Sequence, residues 1–389
     1  MGSTAKRILT LLLSLVLVFT MCPTVSSATD YKAESKSYAY SLIKAKPVYG
    51  NEWLAIDLAR DGYTGANSYL TDYYESLAKE VKSKKGVLSS RTYTEYSKAV
   101  IVAAALGRNP KNVGGYNLVK YVEDYDSVIK QGVNGPIWAL IALDSKGYAS
   151  STREKYIQYI LDNQKENGSW NNDTDYTAMA LQALAGHPEA EEACEKGINF
   201  VEVNKTSQGS YRENDSLDAS AETTAQVIIA KCALGIEPDM NGLYYFYKSG
   251  GKFEHYKGKG VNALATEQAY RAEVAYARYK AGKKRMFDMS DVSAVKVNKP
   301  GKGKITYKKS LKKKQIKVKW KNVSGAKGYQ LAYRLKGKSW KNKTVNSRNK
   351  VVKGLKSKKT YYVKVRAFKY INGSRKYGSW SAVKKVKVK

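Results

Sequence analysis

TAMALQALAG at residues 177–186 and TAQVIIAKCALG at 224–235 decide the fold of this chain. Each opens on Thr-Ala, runs through small and apolar side chains on most faces of a 3.6-residue period, and closes on glycine. Four further apolar, Ala-rich helical stretches recur: NEWLAIDLARDGY (51–63), SKAVIVAAALG (97–107), IWALIALDSKGY (137–148) and TEQAYRAEVAYARY (266–279). The last five openings lie 40, 40, 47 and 42 residues apart, a spacing that belongs to repeat architectures. Between them run helices with one polar face, such as NSYLTDYYESLAKEVKS (67–83) and REKYIQYILDNQ (153–164). A helix apolar all round must be buried, and one with a polar face belongs outside. Six inner helices and about six outer ones predict an α6/α6 toroid over residues 29–290.

The charge divides the chain at a different level. From Val292 to the C-terminus there are 33 of the 68 basic residues and none of the 34 acidic ones. The preceding residues carry 35 basic and 34 acidic side chains, so nearly all of the net charge of +34 sits in the last quarter. Such a field points to a polyanionic partner and says nothing of fold.

The N-terminus reads as a secretory signal over residues 1–28: Lys6 and Arg7, an apolar core from Ile8 to Met21, and Ser26-Ser27-Ala28 before the cleavage point. The apolar run is too short to span a bilayer comfortably, and no other stretch approaches that length, so the mature chain is expected to be exported without a transmembrane segment. Phe19-Thr20-Met21 lacks the small residue that lipidation of Cys22 would need. Cys194 and Cys232 sit in Ala-rich helical patterns and read as small core residues. With two histidines, His187 and His255, and no C-x-x-C or H-x-x-x-H spacing, no zinc site and no cofactor are expected.

QKENGSW (164–170), DTDYTAMALQAL (173–184), ETTAQVIIAKCALGIEP (222–238) and ATEQAYRAEVAYARY (265–279) resemble the prenyltransferase/squalene-cyclase repeat superfamily, in particular its exported bacterial members. Q-x-x-x-G-x-W echoes the QW motif of terpene cyclases. The resemblance covers nearly all of residues 30–290. It implies the toroid and leaves activity open, since one fold hosts many chemistries.

Loops bearing Gly168-Ser169-Trp170, Gly209-Ser210-Tyr211 and Gly251-Lys252-Phe253 precede inner helices, whose N-termini are expected to converge on one mouth. Polar and aromatic residues gathered at a mouth are the default binding site. The candidate ligand-binding residues are Tyr96, Trp138, Asp173, Tyr176, Glu222, Glu267 and Gln268, with Glu95, Asn134 and Thr223 nearby. Class II terpene cyclases carry D-x-D-D-T-A here, and the resemblance makes Asp175 the candidate catalytic acid. Tyr176 stands in place of the third Asp. A helix N-terminus also favours an ionised carboxylate, so capping by Asp173 or Thr174, with Asp175 complementing the dipole, is the preferred reading. The region offers no Asp/Cys/His ligand set of a protein prenyltransferase, and Ala265-Thr266-Glu267-Gln268 lacks the Cys of the thioester motif G-C-x-E-Q. Cobalamin-carrying toroids use a second β-domain that is not seen here. His255 reads as a surface loop residue, and Trp138 and Trp170 as core at least as readily as stacking platforms.

After a Gly/Lys/Pro linker at 291–303 the period changes to two. Ile316, Val318 and Trp320 alternate with Lys317 and Lys319, and Tyr329, Leu331 and Tyr333, then Tyr361, Val363, Val365 and Ala367, repeat the pattern. Seven or so short strands over residues 304–389 predict an immunoglobulin-like sandwich. Leu355 and the run from Tyr361 resemble the tyrosine-corner strand of fibronectin type III domains, with Trp320 at the buried-Trp position. SGAKGYQLAYR (324–334) and YGSWSAVKKVKVK (377–389) resemble Lys-rich copies in exported proteins of Gram-positive anaerobes. The lysines line strands and form no tail, and no aromatic–basic platform for stacking bases is evident, so nucleic acid is disfavoured and anionic cell-wall polymers are the expected partner. The sequence therefore reads as an exported, envelope-associated, non-enzymatic binding protein whose toroid holds an unidentified ligand. The alternatives are a terpene-cyclase-like or glycan-acting enzyme using Asp175, and a structural surface protein.

Overall fold

The computed structural model describes residues 30–44 and 49–389, so the signal-peptide reading of residues 1–28 lies outside the described residues. The N-terminal part is built of helices α1 (Tyr31–Leu42), α2 (Glu52–Arg60), α3 (Asn67–Ser83), α4 (Thr94–Ala105), α5 (Asn134–Asp144), α6 (Arg153–Asp162), α7 (Thr174–Leu184), α8 (Glu191–Val203), α9 (Ala221–Leu234) and α10 (Ala263–Lys280). Single helical turns at Val119–Val122 and Tyr125–Val128 lie between α4 and α5, and another at Asn241–Tyr244 lies between α9 and α10. Among the described residues no helix is long and apolar enough to cross a membrane.

The helices that are apolar all round are buried all round. In α9 every residue from Ala221 to Cys232 is shielded from solvent, and in α4 so is each from Ala99 to Ala105. Alanine suits them, being the strongest helix former and small enough to let backbones approach. The one-sided helix α3 instead buries a single stripe: Tyr69, Tyr73, Tyr74, Leu77, Ala78 and Val81. Packing runs from α2 to α4, on through α5, α7 and α9 to α10, and from α10 back to α2. Outside this succession α1 lies on α10, α3 on α2, α6 on α5 and α8 on α7.

Two short hairpins, β1 (Tyr211–Arg212) with β2 (Ala219–Ser220) and β3 (Tyr247–Ser249) with β4 (Lys252–Phe253), lie among the helices, and the C-terminal part forms two antiparallel sheets. One holds β5 (Ile305–Lys309), β6 (Ile316–Trp320) and β9 (Asn349–Val352). The other holds β8 (Lys341–Val345), β7 (Gly328–Leu335), β10 (Thr360–Ile371) and β11 (Ser374–Tyr377), with β12 (Lys384–Lys387) also on β10. Ile316, Val318, Trp320, Leu331, Val363 and Val365 pack between the sheets, as the period of two requires. The Tyr361 hydroxyl accepts the Lys356 N–H at 3.1 Å, closing a tyrosine corner.

Residues 291–303 have no regular secondary structure, yet the first of them are tied to the helices. Asp291 pairs with Arg60 at 2.7 Å and with Arg278 at 2.5 Å, and the Val295 N–H donates to the Gly107 carbonyl at 2.9 Å. The β10–β11 turn adds a second joint. The N–H groups of Asn372 and Gly373 donate to the Glu75 carboxylate at 3.0 and 2.8 Å, and the Asn372 amide meets Tyr74 and Asn112, each at 3.0 Å. Lys327 reaches Asp72 on α3 at 2.5 Å. The acidic outer face of α3 thus answers part of the sandwich's charge.

Candidate functional site

Three successive loops position the N-termini of α7, α9 and α10 by the same device. The backbone N–H groups of Trp170, Tyr211 and Phe253 donate to the hydroxyls of Thr177, Thr224 and Thr266, each at 3.0 Å. Each hydroxyl in turn donates to the carbonyl four residues back: Asp173 at 2.6 Å, Ser220 at 2.7 Å and Asn262 at 2.7 Å. Those three residues are the N-caps, accepting first-turn N–H groups through their side chains. The glycine two residues before each aromatic lets the loop lie against its neighbour. A side chain at Gly251, whose φ is +74°, would run into the backbone of Glu34 and Ser35 in α1.

This device gathers titratable groups at the starts of α7 and α9. Glu213, whose carbonyl accepts the Thr174 N–H at 2.8 Å, lies beside the Asp173 carboxylate. Partial burial and that neighbour hold Glu213 above the usual carboxylate range. Glu222, buried in the first turn of α9, meets His255 Nδ1 at 2.7 Å. Glu213 and His255 are equivalent residues, each two positions after the clasped aromatic of its loop. Asp175 lies beside Thr223, and its Oδ1 is shielded from water with no hydrogen-bond partner. Burial pushes its carboxyl up to about 7, opposed by Thr223 and reinforced by Asp173, Glu213 and Glu222. Burial among like charges thus outweighs the helix dipole, contrary to the expectation of a stabilised carboxylate. A carboxyl that weak is poorly suited to protonating an alkene, but it is half-protonated near neutrality and can exchange protons with a polar ligand.

The remaining predicted residues are dispersed. Tyr96 is fully buried, stacked on Tyr121 at 4.2 Å, and its hydroxyl donates to the Ser89 carbonyl at 2.7 Å. Trp138, also buried, packs on Trp53 at 5.1 Å and on Phe287 at 5.8 Å. Tyr176 is half-buried and donates its N–H to Asp173 at 2.9 Å. Glu267 accepts from Arg271 at 2.9 Å, and Arg271 is bound to the fully buried Asp57 at 3.0 Å. Gln268 accepts from Gln226 at 2.8 Å, which itself accepts from Gln182 at 3.0 Å, a ladder across α10, α9 and α7. Where α5, α7 and α9 meet the 285–288 segment the interior leaves a cavity of about 20 Å³, room for a single water. A larger cavity of about 280 Å³ lies between α1, α2, α3 and α10, lined by Tyr38, Leu54, Tyr69, Glu267 and Tyr270.

Two other features fall outside these residues. A groove of about 710 Å³ between α7, α8 and α9 contains Cys194 and His187, the latter bound to Asp144 at 2.7 Å. Burial pushes the Cys194 thiol up to about 11 and that of Cys232 to about 12, so neither is a thiolate nucleophile. Both cysteines are free. Among the described residues no group of three or more His, Cys, Asp or Glu is placed to hold a metal. On the sandwich, aromatic and basic side chains do interleave: Arg334, Trp340, Lys364, Trp380 and Arg366 succeed one another within cation–π distance. Trp340 immediately precedes β8 and Trp380 lies between β11 and β12, and the pairing of β8, β7, β10 and β11 in one sheet brings both within reach of Lys364.

No family model and no curated protein matches this chain. Among solved structures, the FN1–FN3 domains of chicken CNTN1 match at 21% identity over 23% of this chain, with a TM-score of 0.21; the match spans 31% of that chain, about a third of its length. The FN5 domain of Drosophila Lar matches at 23% identity over 23% of this chain and 96% of that one, with a TM-score of 0.20. A myokine structure matches at 21% identity over 23% of this chain and 97% of that one, also with a TM-score of 0.20. What these neighbours share with this chain, at low coverage, is a fibronectin type III-like β region.

Proposed function

We propose that this chain is an exported binding protein of the cell envelope. Residues 29–290 form an α6/α6 toroid of the prenyltransferase/squalene-cyclase repeat type, holding a polar ligand at the Asp173–Asp175–Glu222–His255 end. Residues 304–389 form a fibronectin type III domain that retains the protein on anionic wall polymers. The toroid reading is supported by inner-helix packing that returns from α10 to α2. The observation that carries the function is the distribution of charge: 33 basic and no acidic residues from Val292 onward, 30 of them within the β module of residues 304–389. The test is co-sedimentation of the full chain with purified anionic wall polymer across a salt series. Retention should fall steeply with ionic strength; retention independent of salt, or none at low salt, ends the proposal.

A second reading, an acid–base enzyme acting on a glycan, is favoured by Asp175 alone, with its unpartnered oxygen and its pKa of about 7. It requires turnover of wall-glycan fragments that Asp175→Asn and Glu222→Gln abolish. The absence of turnover by the unaltered chain would end it.

A further inference from the structure

The aromatic–basic row has a specific consequence for what the sandwich can hold. On β10, Lys364 and Arg366 are two residues apart on one face, ~7 Å along the strand. Arg366 lies between Tyr377 at 3.8 Å and Trp380 at 4.3 Å, and its Nε donates to Gln330 at 2.9 Å. Lys364 lies between Trp380 at 4.6 Å and Trp340 at 4.4 Å, and Arg334 follows on Trp340 at 4.6 Å. Every cation in the row is therefore braced by aromatic faces, and both indoles carry two cations. The module contains no acidic side chain to neutralise them. Its ion pair with the helices is made by Lys327, which is outside the row.

Single-stranded nucleic acids are gripped by stacking bases on open aromatic faces. Here those faces are occupied by the protein's own cations. The rings instead hold flexible basic side chains in register before any ligand arrives, which lowers the ordering cost of binding. We infer that this row is the surface that engages the envelope polymer, and that its partner is a linear polyanion of phosphate or carboxylate repeats on a sugar or polyol backbone, recognised by charge spacing with no contribution from bases. The inference rests on the envelope reading above and assigns that role to one face of one sheet.

The test uses the full chain and long-chain inorganic polyphosphate as the probe. Trp340→Leu with Trp380→Leu keeps every charge, and is expected to weaken binding about fivefold through loss of the bracing. Lys364→Gln with Arg366→Gln is expected to lose about fivefold more than the isocharge pair Lys312→Gln with Lys313→Gln in the β5–β6 turn, and it serves if the ring variants do not fold. An abasic deoxyribose-phosphate oligomer should bind as tightly as the same length with bases. If the unaltered chain binds polyphosphate but the row variants lose no more than the turn variants, the row is not the surface, while the envelope reading survives. Preference for the base-bearing oligomer by more than about threefold would make nucleic acid the partner and overturn the inference. No salt-dependent binding by the unaltered chain removes both.

Discussion

Replacing Thr224 by Val tests the device that positions the candidate site. Thr224 is fully buried, and its hydroxyl accepts the Tyr211 N–H at 3.0 Å while donating to the Ser220 carbonyl at 2.7 Å. Valine keeps the shape and removes the oxygen, leaving the Tyr211 N–H orphaned inside the protein. An unsatisfied buried donor costs about 1–3 kcal/mol, and the added methyl recovers a fraction of that, so a loss of about 2 kcal/mol is expected. Thr177→Val and Thr266→Val should cost about the same, since the geometry is the same at 3.0 Å in all three loops. Thr224→Ser, which keeps the oxygen, should cost less than half as much. Urea unfolding followed by helical circular dichroism reads this out as a midpoint shift of about 0.7 M for a slope of about 3 kcal/mol/M. Should Thr224→Val unfold at the same urea concentration as the parent, the clasp does not hold the loops and the account of how Glu213 and His255 are placed collapses.

Other expectations concern charge, docking and redox state. Because the Asp175 pKa rises from its ordinary value near 4 to about 7, its ionisation opposes folding. That penalty is absent below about pH 4, grows as pH rises, and is complete above about 7, so Asp175→Asn should stabilise the chain by about 2–4 kcal/mol at pH 8 and leave it nearly unchanged at pH 4. Equal unfolding midpoints at pH 8 would show that the carboxylate is not penalised. Gly373→Ala places a Cβ 2.6 Å from the Ala78 backbone at a φ of +67°, and should loosen the β10–β11 turn from α3 by about 1–3 kcal/mol. Faster exchange of the Asn372 and Gly373 amides in the variant is the expected readout, and unchanged exchange would refute the docking role. Cys194 and Cys232 should both react with a thiol reagent after unfolding without reductant; a non-reduced mass two daltons lower would contradict that.

What was legible in the sequence was periodic. All-round apolar helices spaced about 40 residues apart and strands alternating at two residues each report their own burial, because a helix or strand face repeats within the segment itself. The Gly-x-aromatic loops were legible for the same reason, being local and repeated. The position of a residue within an all-buried helix was not. The sequence places Trp138 and Tyr96 in the first turns of their helices, but a helix without a polar face carries no signal for which neighbour each side chain meets.

The candidate site shows the same limit. Asp173, Asp175 and Glu222 were found from helix starts, yet Glu213 and His255 were missed as partners because they belong to the next loop along, and adjacency between repeats is made by packing. The Asp175 pKa likewise depends on how many carboxylates the fold crowds together, which no local rule for a helix terminus contains. The sequence alone determined that 30 basic and no acidic side chains ride on residues 304–389, whose period of two marks a β module. Only the tertiary structure decided that some of them are locked between tryptophans contributed by distant segments, because cation–π contact acts over a few ångströms and strand pairing is what brings those segments within reach.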